Sequence, residues 1–245
     1  MYYEEYSRGF SFNISKYFAE GENIIRNGEY YAGILNKYTN PGKMLDIGAA
    51  GGFFMQGFSN NRWDVIGIES DKNMTDFGIR ELNLRIINSC FEIFDVKGKY
   101  DLISFIQPVS QFFNLKNAIS KMYNIMNPNG YVLIENWNLD RFINGHVNDI
   151  KDDSHDDNFL GWLSQSTLTE SFSNAGFSLI ETGYTNSNIM IDVAINLLER
   201  HHSDNDYMLR LKEMLSQTLS KSVQTYEIDI SWSLFQRMNN DFTTP

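Results

Sequence analysis

Residues 44–54 read MLDIGAAGGFF: a short apolar run carrying one carboxylate, Asp46, then Gly48, Gly51 and Gly52 around two alanines, then a pair of phenylalanines. So short an apolar run bounded by glycines predicts a buried strand, and the glycines let the backbone turn sharply and pass close to a ligand lying across the strand's carboxyl end. The next apolar run, DVIGIES at 64–70, ends in Glu69, 23 residues beyond Asp46. A carboxylate there is placed to accept hydrogen bonds from both hydroxyls of a ribose. Together the two features predict an adenosine-containing cofactor at the switch point of a doubly wound sheet.

The spacing narrows the cofactor. A dinucleotide fingerprint needs G-x-G-x-x-G, whereas this chain reads G-A-A-G-G-F from Gly48, with Ala50 at the second glycine and Phe53 at the third. Close approach of a pyrophosphate is disfavoured, and the chain contains no G-x-x-x-x-G-K-[ST] phosphate loop.

Outward from this motif, LRII, YDLISF and GYVLIE add three more apolar runs, separated by helix-like stretches such as 72–82 and 113–126, with the turn residues NPNG at 127–130. Alternation of this kind predicts a parallel sheet with crossover helices. Residues 12–38 carry apolar residues at helical spacing and form a helical N-terminal cap over the sheet. STLTESFSNAGF reads as a helix capped by Ser166 and closed near Gly176, followed by the strand FSLIETGY; 189–222 reads as helical, and EIDISWSLFQRM as a last, antiparallel strand. The expectation is one α/β domain over 1–245: a cap at 1–40, a cofactor-binding core at 41–137, a lid loop at 138–165 and a helical insertion at 189–222.

Composition excludes other classes. Of 245 residues, 42% are hydrophobic and 21% charged, enough apolar surface for a core and against intrinsic disorder. The single cysteine, Cys90, rules out disulfides within the chain and any multi-cysteine zinc site. A net charge of −11 argues against gripping nucleic-acid phosphates or anionic lipid by bulk charge. The start, MYYEEYSRGF, lacks the pattern of a signal peptide, and no apolar stretch is long enough for a membrane helix, so a soluble cytoplasmic protein is expected.

LDIGAAGGFF, GIESDKNMTDFG, and YDLISF followed by MNPNGYVLIENWN resemble, in order and spacing, the motifs of the class I S-adenosylmethionine-dependent methyltransferases, in particular the small-molecule branch related to the ubiquinone-biosynthesis enzymes. The resemblance covers about residues 40–185. It implies a Rossmann-like, doubly wound, mostly parallel seven-stranded sheet with an antiparallel last strand, S-adenosylmethionine as cofactor, and transfer of its methyl group to a small-molecule acceptor. Carried over by position, it puts Asp46, Gly48 and Ala49 beside the methionine moiety, Glu69 on the ribose, Ser70 beside the adenine, Cys90 and Phe91 along the adenine, and Gln107 at the cofactor's amino-acid end. Ala50 departs from the family's glycine by one methyl group. Where many relatives carry Glu-His after the fourth strand, this chain has Ser110 and Gln111, so a histidine base is absent at that place. The branch further implies O-methylation of a sugar or sugar nucleotide. N-methylation of a small amine is the alternative within the enzymes, and a non-catalytic cofactor-binding partner the alternative outside them.

A hydroxyl acceptor benefits from a positioned base. His146 in the lid segment is the first candidate, since it follows the fifth strand by nine residues; His155 is the second, although its carboxylate neighbours in DDSHDD, 152–157, favour its charged form. That acidic run reads as a solvated loop rather than a divalent-cation site, and the adjacent His201 and His202 as solvated. Asn136 and Trp137 either line an acceptor pocket or close the core. Tyr2, Tyr3, Tyr6 and Phe10 either form a flap over the site or pack onto the cap.

Overall fold

A computed structural model describes residues 14–106, 112, 114–137, 165–190 and 225–238. Its strands are β1 Lys43–Ile47, β2 Asp64–Glu69, β3 Ile86–Asn88, β4 Tyr100–Ile106, β5 Met126–Trp137, β6 Phe177–Met190 and β7 Thr225–Arg237. Its helices are α1 Ile14–Ala19, α2 Gly21–Leu35, α3 Phe53–Asn60, α4 Lys72–Glu81, α5 Leu115–Ile125 and α6 Gln165–Asn174. The strands form one sheet in the order β3-β2-β1-β4-β5-β7-β6. β2 runs parallel to β1 (Lys43 opposite Asp64, Ile47 opposite Ile68) and to β3. β7 pairs antiparallel with β6, Phe177 facing Arg237, with one irregularity between Leu179 and Glu181. This is the doubly wound, mostly parallel sheet that the alternating runs predict, antiparallel across β5-β7-β6. Strand order reverses between β1 and β4, which makes the carboxyl end of β1 a switch point and so a natural ligand crevice.

Two compact units make up the chain, Met1–Ser104 with Lys121–Tyr131 and Phe105–Ser120 with Val132–Pro245. In the first, Met44 and Leu45 of β1, Met55 and Phe58 of α3, Ile68 of β2 and Leu102 of β4 are fully buried. In the second, the Phe172 and Phe235 rings stack with centroids 4.4 Å apart, and Phe177 meets Phe172 edge-on.

The helical cap docks on α3. A Cβ on Gly28 would fall 2.3 Å from the Phe54 carbonyl oxygen, and one on Gly57 would fall 2.3 Å from that of Ile25. The two helices therefore cross backbone to backbone, a separation that only glycine permits.

Several boundaries differ from the sequence expectation. β5 already begins at Met126, and the turn expected at 127–130 survives as a left-handed Asn129, φ +61°. Ser166 lies inside α6 rather than capping it, whereas Gly176, φ +90°, follows the helix end and donates to the Ser173 carbonyl as a closing residue should. β6 continues to Met190, so Ile189 and Met190 belong to a strand and not to the start of the predicted helical stretch, whose remaining residues lie outside the described ones. Among the described residues no helix is long and apolar enough to cross a membrane.

Candidate functional site

The chain leaves β1 at Ile47 and turns at once. The Gly48 and Ala49 N–H groups both donate to the Ile68 carbonyl, at 2.9 and 3.1 Å, tying the turn to β2. Three residues of the turn are left-handed: Gly48 at φ +73°, Ala50 at +47° and Gly52 at +88°. Glycine takes such angles freely, but at Ala50 the cost is conformational strain of about 1–2 kcal/mol rather than the bulk of one methyl group, a correction to the sequence reading. Held in this shape, the Ala50 N–H points at Glu69 and donates to Oε2 at 2.8 Å.

Glu69 stands where β2 ends. Besides Ala50, it takes the Asp71 N–H at 2.7 Å and the Ser70 hydroxyl at 3.3 Å on Oε1. Asp71 in turn caps α4 by accepting from Asn73 and Met74 N–H. The Glu69 carboxylate is thus oriented by two backbone donors on opposite oxygens. A carboxylate offers about four acceptor positions, and the Ser70 hydroxyl, the longest of the three contacts, can rotate away. Ser70 itself, expected beside an adenine, is exposed and bonded to Glu69.

Asp46 is 2% exposed, and the Ser104 hydroxyl of β4 donates to its Oδ1. Burial pushes its carboxyl up to about 7, the Ser104 bond opposing and the nearby Glu69 charge adding to the rise. The site therefore holds one oriented carboxylate beside a buried acid that titrates near neutrality.

Tyr17 is the member that sequence reasoning missed, since it falls inside the stretch 12–38 read only as a helical cap. α1 sets its ring on the turn: a Cβ on Gly51 would lie 2.9 Å from Tyr17 Cε1. Its hydroxyl oxygen accepts the Phe53 N–H at 3.4 Å, at the first residue of α3, which has no side-chain cap of its own. Burial raises this phenol to about 12, the N–H groups of Phe53 and Gly51 opposing and the Asp46 and Glu69 charges adding. Tyr17, Phe18, Phe53 and Phe77 form one aromatic group, with Phe18 and Phe77 centroids 4.5 Å apart. A signal was available: three glycines in five residues leave space that some large side chain must fill.

Cys90 is half-buried, its sulfur 4.0 Å from Glu92 Oε2. Phe91 is only 3% exposed, its ring under the Lys121 ammonium. The structure brings together Asp46, Gly48, Ala49, Glu69 and Ser70, with Cys90 and Phe91 in the turn after β3. Gln107, Ser110, Gln111, His146, the 152–157 run with His155, His201, His202, and the N-terminal Tyr2, Tyr3, Tyr6 and Phe10 lie outside the described residues. Among the described residues no three His, Cys, Asp or Glu side chains converge as a metal site.

This donor set suits one kind of ligand. The Glu69 carboxylate at the glycine turn offers acceptor positions that suit ribose hydroxyls, the buried Asp46 acid lies beside it, and the α3 amino end that would receive a phosphate is met by the Tyr17 oxygen instead. A ribose-bearing ligand suits these acceptors.

Comparison with known proteins agrees. Residues 22–182 match the family model described as a methyltransferase domain. No curated protein matches. Among solved structures, a Bacillus halodurans protein assigned to the methyltransferases is similar at a TM-score of 0.61 and 10% identity, over 86% of this chain and 99% of that one. The N-methyltransferase NodS of Bradyrhizobium japonicum gives 0.55 at 10% identity over 90% and 99%. The plantazolicin methyltransferase BpumL, solved with S-adenosylhomocysteine and a monoazolic desmethylPZN analogue, gives 0.57 at 15% identity over 97% and 92%.

Proposed function

The chain belongs to the family of S-adenosylmethionine-dependent methyltransferases, and we propose that it methylates an oxygen on a small polar acceptor, a sugar or sugar nucleotide. S-adenosylmethionine, when bound, supplies an electrophilic methyl carbon on a sulfonium. The protein's share is alignment of the acceptor and, for a hydroxyl, removal of its proton. In this proposal Glu69 accepts the ribose hydroxyls, Asp46 in its ionised form faces the cationic methionine end beside Gly48 and Ala49, Ser70 and the turn at Cys90 and Phe91 flank the base, and Gln107 meets the amino-acid end. His146, or failing it His155, takes the acceptor's proton.

The observation that carries the cofactor assignment is the Ala50 N–H bond to Glu69, which joins the glycine turn and the acidic strand end into one oriented unit. Glu69→Ala is expected to weaken S-adenosylhomocysteine by about 1.5–3 kcal/mol in calorimetry, the loss of hydrogen bonds to a charged group. Unchanged affinity would remove the ribose role. The sugar preference is supported by the motif resemblance. N-methylation of a small amine is the second reading, favoured by the net charge of −11, which suits a cationic acceptor, and by the likeness to NodS. A panel of sugars, sugar nucleotides and amines, read by the mass gain of one methylene group, separates the two. A protein that forms no S-adenosylhomocysteine with any acceptor is a binding partner instead.

A further inference from the structure

One cation organises the turn that follows β3. Lys121 on α5 donates to the carbonyl oxygens of Phe91 and Phe94, each at 2.5 Å, and reaches that of Glu92 at 3.5 Å. Its nitrogen lies 4.7 Å from the Phe91 ring centroid. An ammonium has three protons, and here three carbonyls of four consecutive residues converge on it. Carbonyls gathered this way repel one another unless a positive charge sits among them. The stem leaves α5 beside Ala118 and Met122, both buried, so the charge is delivered from a fixed base.

The same turn is fastened to the candidate site. The Ser89 N–H donates to the Glu69 carbonyl at 3.0 Å, and the Asn88 amide donates to the carbonyls of Glu69 and Ser70, each at 3.0 Å. β3 is the next strand outward from β2. A ligand that crosses the strand ends from the glycine turn over Glu69 therefore continues onto residues 89–94 with whatever lies beyond its ribose.

We propose that Lys121 is a positioning residue for cofactor binding: by holding the Phe91, Glu92 and Phe94 carbonyls it fixes the turn against which the cofactor's base rests. This rests on the assignment of Glu69 to the ribose. In this role the ammonium acts through the turn.

The test compares two ligands in the full chain: S-adenosylhomocysteine, and S-ribosylhomocysteine, the same molecule without its base, titrated to millimolar concentration by NMR. Lys121→Met keeps the apolar stem and removes the charge. It is expected to weaken S-adenosylhomocysteine about tenfold and leave S-ribosylhomocysteine unchanged, with Lys121→Gln, which keeps some donors, in between. A general loss of folded protein lowers both affinities alike, so parallel weakening overturns the role, as does no change in either. Wild-type chain that binds neither ligand overturns the cofactor assignment and this proposal with it; wild-type chain that binds S-adenosylhomocysteine while the variants match it overturns Lys121 alone.

Discussion

Asp46 gives the clearest handle at the scale of single residues. Its carboxyl titrates near 7 in the folded chain against an ordinary value near 3.8. The folded state therefore holds a proton that the unfolded state has released between those limits, and the stability contributed is present below about pH 4 and lost as pH rises through about 7. Asp46→Asn cannot ionise, so its melting temperature relative to wild type should climb from pH 5 to pH 8; a constant difference would contradict the burial argument. A bound cation favours the ionised form, and so wild-type affinity for S-adenosylmethionine, whose sulfonium carries the charge, should be about tenfold weaker at pH 6 than at pH 8, a dependence that Asp46→Asn abolishes. The proton-accepting role is tested by His146→Ala and His155→Ala: turnover should fall at least about tenfold in the first with cofactor affinity intact. Near-normal turnover in both would point to a carboxylate such as Asp140 or Glu135, or to an amine acceptor. Tyr17 and Lys121 escape a reading of sequence for a common reason. Each acts through backbone groups far along the chain, Phe53 for one and Phe91 to Phe94 for the other, and no local periodicity encodes such pairings.

Among the elements, the glycine turn stores strain at one place. Ala50 at φ +47° costs about 1–2 kcal/mol relative to an unstrained residue, while glycine there costs about 0.5–1 kcal/mol in chain entropy. Ala50→Gly should consequently melt at or above wild type, by up to about 4 °C; a clear drop would show that the methyl group contributes packing that outweighs the strain. The strands flanking this turn were readable because short apolar runs ending in Asp-Ile-Gly and Glu-Ser-Asp leave few alternatives in a parallel sheet. β6 was readable only to Tyr184. Beyond it, TNSNIM carries little of the apolar alternation of a strand, and it is held instead by its long antiparallel pairing with β7 out to Met190 and Thr225. The cap was legible as helix, but its docking face was not, because two glycines register in a sequence as weak helix formers rather than as a contact.

For the molecule as a whole, the proposed cofactor site at the glycine turn predicts a ligand preference. S-adenosylmethionine and S-adenosylhomocysteine should bind in the micromolar range while NAD shows no heat of binding at the same concentrations; comparable affinity for the dinucleotide would mean that the turn accepts phosphate after all. Activity, once an acceptor is found, should survive EDTA, and its loss with recovery on adding magnesium would assign the 152–157 run a metal. The crossing of α2 over α3 carries a kinetic consequence. Gly28 and Gly57 stand 29 residues apart, whereas the farthest β6–β7 pair, Phe177 with Arg237, closes a loop about twice as long, and each doubling costs only about 0.6 kcal/mol in closure entropy. What distinguishes the helical crossing is then less its nearness in the chain than its tolerance. A sheet pairing can slip and recover, but two backbones in contact at glycine have one register, so Gly57→Ala should slow refolding, in stopped-flow tryptophan fluorescence, more than it speeds unfolding.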